Sequence, residues 1–201
     1  MAENKNYRAT VGVSEFYYAT LDETEVNADS EIERVKFLQN ITVEMPQEIV
    51  RAYGDNVTAE MGVSSGNTNV SGAFHKLPSE DKRVLFGLES TADGLDAYGG
   101  EDDPPYVACV FAKTRNDGSK EWVGLPKGKF MRSNIAGQTK EDGLEFQNDE
   151  ISAEFMDREV TGFANPKSVV TGSDNKGETV KRDALFQAIF GKPYPGAPEG
   201  V

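Results

Sequence analysis

Residues Ile41 to Met45 read ITVEM, and the chain writes close variants of it twice more, VTAEM at Val57 to Met61 and ISAEF at Ile151 to Phe155. Side chains two apart on an extended strand share a face while their neighbours point the other way. One side of these three pentads therefore carries Ile41, Val43 and Met45, then Val57, Ala59 and Met61, then Ile151, Ala153 and Phe155, and belongs on a core. The other side carries Thr42 and Glu44, Thr58 and Glu60, Ser152 and Glu154. A helix would gather the apolar residues of a pentad on no single stripe, whereas β-branched residues and threonine suit a half-buried pleated surface. The pattern predicts three strands with one acidic, hydroxylated face, and hence a mainly β protein.

The bulk numbers fit that reading. A chain of 201 residues is suited to one large domain, since all-β architectures run to this length undivided. Its composition, 37% hydrophobic and 27% charged, is polar for a globular protein, which points to exposed loops or a subunit interface. A formal charge of −13 argues against a general DNA or RNA binder, because such proteins gain affinity by neutralising phosphates with Lys and Arg. No apolar run approaches the roughly 18 residues of a spanning helix, and Met1 to Thr10 lacks the apolar stretch of a signal peptide. A chain made and kept in a cytoplasm, without membrane binding, is expected.

Outward from the pentads, Ala9 to Leu21 reads as a first strand. Residues 22 to 33 then crowd together Asp22, Glu23, Glu25, Asp29, Glu31 and Glu33, either as a solvated loop or as an arm that meets another subunit. Pro46 closes the first pentad, Gly54-Asp55-Asn56 and Ser64 to Asn67 are turn signals, and Asn69 to Phe74 alternates again. Ser79, able to cap, and Glu80 and Asp81, suited to the positive dipole end, open a short helix with Val84, Leu85 and Leu88 as its apolar stripe. Tyr106 to Ala112 and Trp122 to Met131 flank Asn116-Asp117-Gly118, a strong hairpin signal. Thr161 to Lys176 is loop-like. Val180, Ala184, Leu185, Ala188 and Ile189 recur at helical spacing until Gly191 and Pro193, giving a C-terminal amphipathic helix. Residues 192 to 201 follow as a tail that is mobile unless a neighbour holds it.

Catalytic chemistry does not assemble. The single cysteine, Cys109, lies among apolar residues in YVACVF and reads as a buried small hydrophobe, and His75, the only histidine, has no orienting group beside it. The Glu101-Asp102-Asp103 run lacks ligand spacing. Asp174 to Glu178 puts Lys176 where a calcium loop needs an oxygen, and LPKGKF lacks the flanking residues of a phosphate loop. The sequons at Asn40 and Asn56 matter only in a secreted chain. No catalytic, cofactor-binding or metal residues are assigned, and an enzyme is not expected.

Seven segments in this order, VGVSEFYYATL, ITVEMP, RAYGDNVTAEMG, VSGAFHKLP, PPYVACVFAK, EWVGLPKGKF and LEFQNDEISAEF, together resemble the phi13-type major tail proteins of long-tailed (siphovirus) bacteriophages, a resemblance that covers almost the whole chain. The resemblance implies a single tail-tube domain over 1–201, a β-sandwich with a flanking helix. It implies six subunits closing a ring whose inner strands form one barrel, and rings stacking into a tube. It also implies a virion-tail location, no enzyme activity, and partners in further copies of itself, a tape measure protein, and tail terminator and initiator proteins.

Under that resemblance the acidic faces acquire a role. Duplex DNA carries a charge per roughly 1.7 Å of axis, so a basic channel would hold it at many points, whereas an acidic wall, acting over about 8 Å at physiological salt, would let it pass without specific binding. Thr42, Glu44, Thr58, Glu60, Ser152 and Glu154 are then expected to face the lumen, the plain alternative being a solvated face of an ordinary sandwich. Asp22, Glu23, Glu25 and Glu31 are expected to meet Lys127, Lys129 and Arg132 of a neighbouring subunit. Two other classes compete: a β-sandwich binding or virion decoration module, which needs an exposed aromatic platform, and a hydrolase with paired carboxylates, which needs a convergent polar set.

Overall fold

A computed structural model describes residues 7–55, 57–135 and 147–196. In chain order they form β1 (Thr10–Thr20), β2 (Glu33–Val35), β3 (Leu38–Glu44), β4 (Gln47–Gly54), β5 (Val57–Ser65), β6 (Thr68–Phe74), α1 (Ser79–Phe86), β7 (Glu89–Ser90), β8 (Asp96–Ala97), β9 (Val107–Arg115), β10 (Lys120–Met131), β11 (Asp149–Phe155), β12 (Val170–Asp174) and α2 (Val180–Phe190). The protein is mainly β, as the alternating pentads require, and every strand pairing is antiparallel.

The main sheet runs β2-β1-β9-β10-β11-β6-β3, with β12 also on β10. Strand β10 organises it. One edge pairs with β9; the other pairs first with β12 through Lys120 to Gly124 and then with β11 through Gly128 to Met131. The bulge between Leu125 and Gly128 falls at Pro126, which has no N–H to give the ladder. Strands β9 and β10 are joined through Asn116-Asp117-Gly118, with Gly118 at φ 81° and the Arg115 amide donating to the Ser119 carbonyl.

Both faces of the sheet centre are buried. Every strand along the path contributes to one apolar cluster, from Val35 and Phe16 through Cys109, Leu125 and Ile151 to Val70, with Ile41 and Val43 of β3 packed against it, so the sheet wraps around this cluster. Strands β1 and β3 approach within 8 Å there without hydrogen bonding. Leu85 and Phe86 of α1 close the cluster. On the opposite face Ala108, Val110 and Ala112 of β9, with Tyr17 and Trp122, meet Leu185, Phe186, Ile189 and Phe190 of α2. This two-sided burial explains why YVACVFA is continuously apolar and not alternating. Gly124 admits α2 closely, since a Cβ there would lie 2.7 Å from Ile189 Cγ1.

Several expectations are corrected. Val180 of the anticipated stripe is 71% exposed, while Phe186 and Phe190, one position on, are buried, because the helix axis turns that flank to the sheet. Ser79 does not cap α1: Pro78 holds the N-cap position and no side chain caps it, and Val84 lies outside the buried stripe. The segment read as loop before α2 contains β12, a short strand whose glycine and serine hide its pairing with β10. The start of the C-terminal tail is held by its own domain: Tyr194 stacks edge-on against Tyr17, Trp122 and Phe186, and the Lys192 ammonium donates to the Ser30 carbonyl at 2.8 Å. Residues 197–201 lie outside the described residues.

Candidate assembly surface

Strand register places two of the three pentads side by side. Glu44 of β3 lies opposite Asn69 of β6, which lies opposite Glu154 of β11, which lies opposite Lys129 of β10. One row over, Thr42, Ser71, Ser152 and Met131 align the same way. Between these rows Val43, Val70, Ala153 and Phe130 align and point into the core. Thr42, Glu44, Asn69, Ser71 and Glu154 are exposed, and Ser152 is half-buried. The result is a mainly polar face on four adjacent strands, broken by Met131, on which Glu44, Glu154 and the neighbouring Glu150 outnumber Lys129. The Lys129 ammonium is itself paired with Asp103 at 2.6 Å, and the Asn67 amide donates to Glu154 at 2.5 Å.

The middle pentad behaves differently. Among the described residues strands β4 and β5 are hydrogen-bonded only to each other, forming a ribbon that continues β3 and β6 away from the main sheet. At its base the Gly66 amide donates to the Pro46 carbonyl, and one extra residue on the β5–β6 side shifts the register from that of β3–β6. A second irregularity lies between Ala52 and Tyr53, so that Glu60 pairs with Ala52 but Thr58 pairs with Tyr53. Adjacent residues face opposite ways, so Thr58 and Glu60 do not share a face, and Val57 and Met61, expected in a core, are 63% and 65% exposed. Alternation in VTAEM was right about a strand and wrong about burial, since a period of two says nothing of what covers either face.

The acidic segment is folded on its own chain. Leu21 bridges Ala28, the Ala28 amide donates to the Phe190 carbonyl, and Asp22 accepts from the Thr24 hydroxyl at 2.7 Å and the Val26 amide at 3.2 Å; these bonds, led by that of Thr24, lower its carboxyl pKa. Glu25 pairs with Lys127 of the same chain, and Arg132 with Asp102 at 3.8 Å. Lys127 and Lys129 also sit over the Tyr106 ring, 4.3 and 4.7 Å from its centroid. Within the single chain the basic trio expected to reach a neighbour is engaged with its own acidic groups, an arrangement that sequence could not supply because the Glu25–Lys127 pair joins residues 102 positions apart. Glu23 and Glu31 are exposed and form no ion pair among the described residues.

Other candidates resolve into structure. Cys109 is fully buried in the inner cluster, where burial raises its thiol pKa. Trp122, Tyr17 and Tyr18 are core residues and form no exposed aromatic platform. Arg158 is also buried; its Nη2 donates to the Ile189 carbonyl at 2.8 Å at the end of α2, and burial lowers its pKa. Among the described residues no group of three or more His, Cys, Asp or Glu is placed to hold a metal, and no helix is long and apolar enough to cross a membrane. No protein-family model matches the chain, and no curated protein matches it in sequence.

Proposed function

We propose that this chain is the repeating subunit of a phage tail tube, a structural major tail protein whose copies close into hexameric rings that stack around a DNA passage. The observation that carries this reading is the aligned polar face of β3, β6, β11 and β10, backed by the core and ending at the free edge of β3. An edge strand presents unpaired N–H and C=O groups, which is a template for another chain. Joining that edge to a different edge of the next copy is a heterologous contact, which generates a ring when the rotation closes. The face would then repeat around a bore, with Thr42, Glu44, Ser152 and Glu154 lining it. The exposed β4–β5 ribbon supports self-association independently, because an isolated two-stranded ribbon is marginal in water and gains stability by being covered.

On this reading the lining repels phosphates over about a Debye length and grips nothing, so double-stranded DNA passes without specific binding. Further copies, a tape measure protein in the bore, and initiator and terminator proteins at the ends are the partners, and the virion tail is the location. The chain itself does no chemistry and needs no cofactor.

Electron microscopy of the purified full chain, concentrated alone and with a tail initiator, tests the proposal. Stacked rings with a central hole are expected, and a reconstruction should put Glu44 and Glu154 on the inner wall. Rings with these glutamates on the outer wall would overturn the lining, and a chain monomeric under all these conditions would overturn the tube.

A further inference from the structure

We infer that two adjoining clefts on either side of Met156 take two anchor side chains of a basic amphipathic helix from a different protein. The inference deepens the reading of the polar face above and rests on it for its partner, a helical protein held in the bore. The smaller cleft, of about 230 Å³, opens on the polar face itself, where Tyr106, Met131 and Met156 form its apolar lining and Glu154 its rim. The larger, of about 540 Å³, lies beyond, with Met45, Pro46 and Val169 among its apolar walls and Asp157 beside them. Asn67, Phe155 and Met156 line both, so a single wall separates the two.

Size and spacing point to side chains on a helix. Pockets for small molecules start at about 300 Å³, so the smaller cleft suits one side chain. Three of the chain's five methionines meet here, with Met45, Met131 and Met156 exposed by 59%, 48% and 37%. Unbranched thioethers adapt to the shape that enters, as in grooves that accept the apolar ridge of a helix. The smaller cleft lies between β10 and β11, and the larger reaches β6 and the end of β3, so they are about two strand spacings, ~10 Å, apart. Residues i and i+7 of a helix share a face at about the same separation.

Charge sets the sign of the partner. Glu154 at the smaller cleft, Asp157 at the larger and Glu44 on the adjoining row form no ion pair among the described residues, against one such cation, Lys167. Lys129, the cation at the smaller cleft, is neutralised by Asp103 at 2.6 Å. A helix bearing lysine or arginine beside its apolar anchors gains attraction and register here, and an acidic one is repelled. Duplex DNA offers phosphates and no apolar ridge, so the surface that holds the helix lets DNA by.

The test uses the dilute full chain with isotope-labelled methionine methyl groups, titrated with a synthetic leucine/lysine helix of about 18 residues. The Met45, Met131 and Met156 methyl signals should shift together, while that of Met61, on the ribbon and 65% exposed, should stay. Glu154→Lys combined with Asp157→Lys should weaken binding about tenfold, and circular dichroism checks that this variant is folded. A leucine/glutamate helix or a DNA duplex that moves the same signals as strongly overturns the inference, as does a leucine/lysine helix that moves Met61 instead. Concentration-dependent movement of the three signals in the chain alone also overturns it, since a second copy then covers the clefts. Electron microscopy of the concentrated chain is read separately. Tubes with unmoved methyl signals overturn the helix site and leave the tube reading standing; methyl shifts in a chain that never forms rings support the site and overturn the bore.

Discussion

Single residues set how firmly the polar face is backed. Asp149, at the start of β11, accepts from the Leu77 amide and from Lys82 at 2.8 and 2.9 Å; burial pushes its carboxyl up, but Lys82 and these hydrogen bonds hold it below the ordinary aspartate range. Its folded pKa therefore lies below its unfolded one. The carboxylate's contribution is complete at neutral pH and is lost as pH falls through the folded value, below about pH 4. Asp149→Asn should be less stable than the parent at pH 7, and the gap in urea midpoints should close on acidification; a gap independent of pH would contradict this. Tyr18 ties β1 to α1 by donating to Asp81 at 2.6 Å, and desolvation raises its phenol pKa well above the usual value. Tyr18→Phe should cost about 1.5–3 kcal/mol in equilibrium unfolding, the usual worth of a bond to a charged acceptor.

Among elements, α2 and the ribbon make opposite demands. The helix is anchored by aromatic contacts, Phe186 lying 5.2 Å from the Tyr17 ring, 5.0 Å from Tyr194 and 6.0 Å from Trp122. Phe186→Ala opens a cavity at the centre of that group and should destabilise the monomer by about 3–5 kcal/mol. Among the described residues the ribbon pairs with no strand of the main sheet, so replacing residues 47–65 by a tight turn should leave the thermal midpoint of the monomer within a few degrees. The same deletion should abolish assembly. Calorimetry and sedimentation of one sample distinguish the two effects, and a deletion that unfolds the monomer would show that the ribbon supports its own domain.

At the scale of the molecule, charge opposes self-association. Copies carrying a formal −13 each repel one another, and added salt screens that repulsion while leaving apolar contact intact. Light scattering should therefore show faster assembly at higher ionic strength, a trend that would reverse if attractive charge pairs governed the rate. On the proposed tail-tube function, converting Glu44 and Glu154 to lysine should permit rings but slow DNA release from assembled particles, since each new cation neutralises a phosphate.

The amino-acid order alone determined the strands that alternate clearly, because a period of two is a local property, and it determined the β9–β10 hairpin and α2, whose signals are contiguous; it did not reveal β12, which lies in a segment read as loop. It also determined that Ile41, Val43, Ile151 and Ala153 face inward and their glutamates outward. Tertiary structure decided which strands became neighbours, and so made one surface of Glu44, Asn69 and Glu154 from three separate segments. It decided likewise that VTAEM would stand on an uncovered ribbon while ISAEF and the first part of ITVEM lie on the core, Met45, expected inward, being 59% exposed, and that Lys127 would meet Glu25 of its own chain. Alternation records how a strand is pleated, whereas burial and pairing depend on what long-range packing brings against each face, and that information is spread over the whole chain.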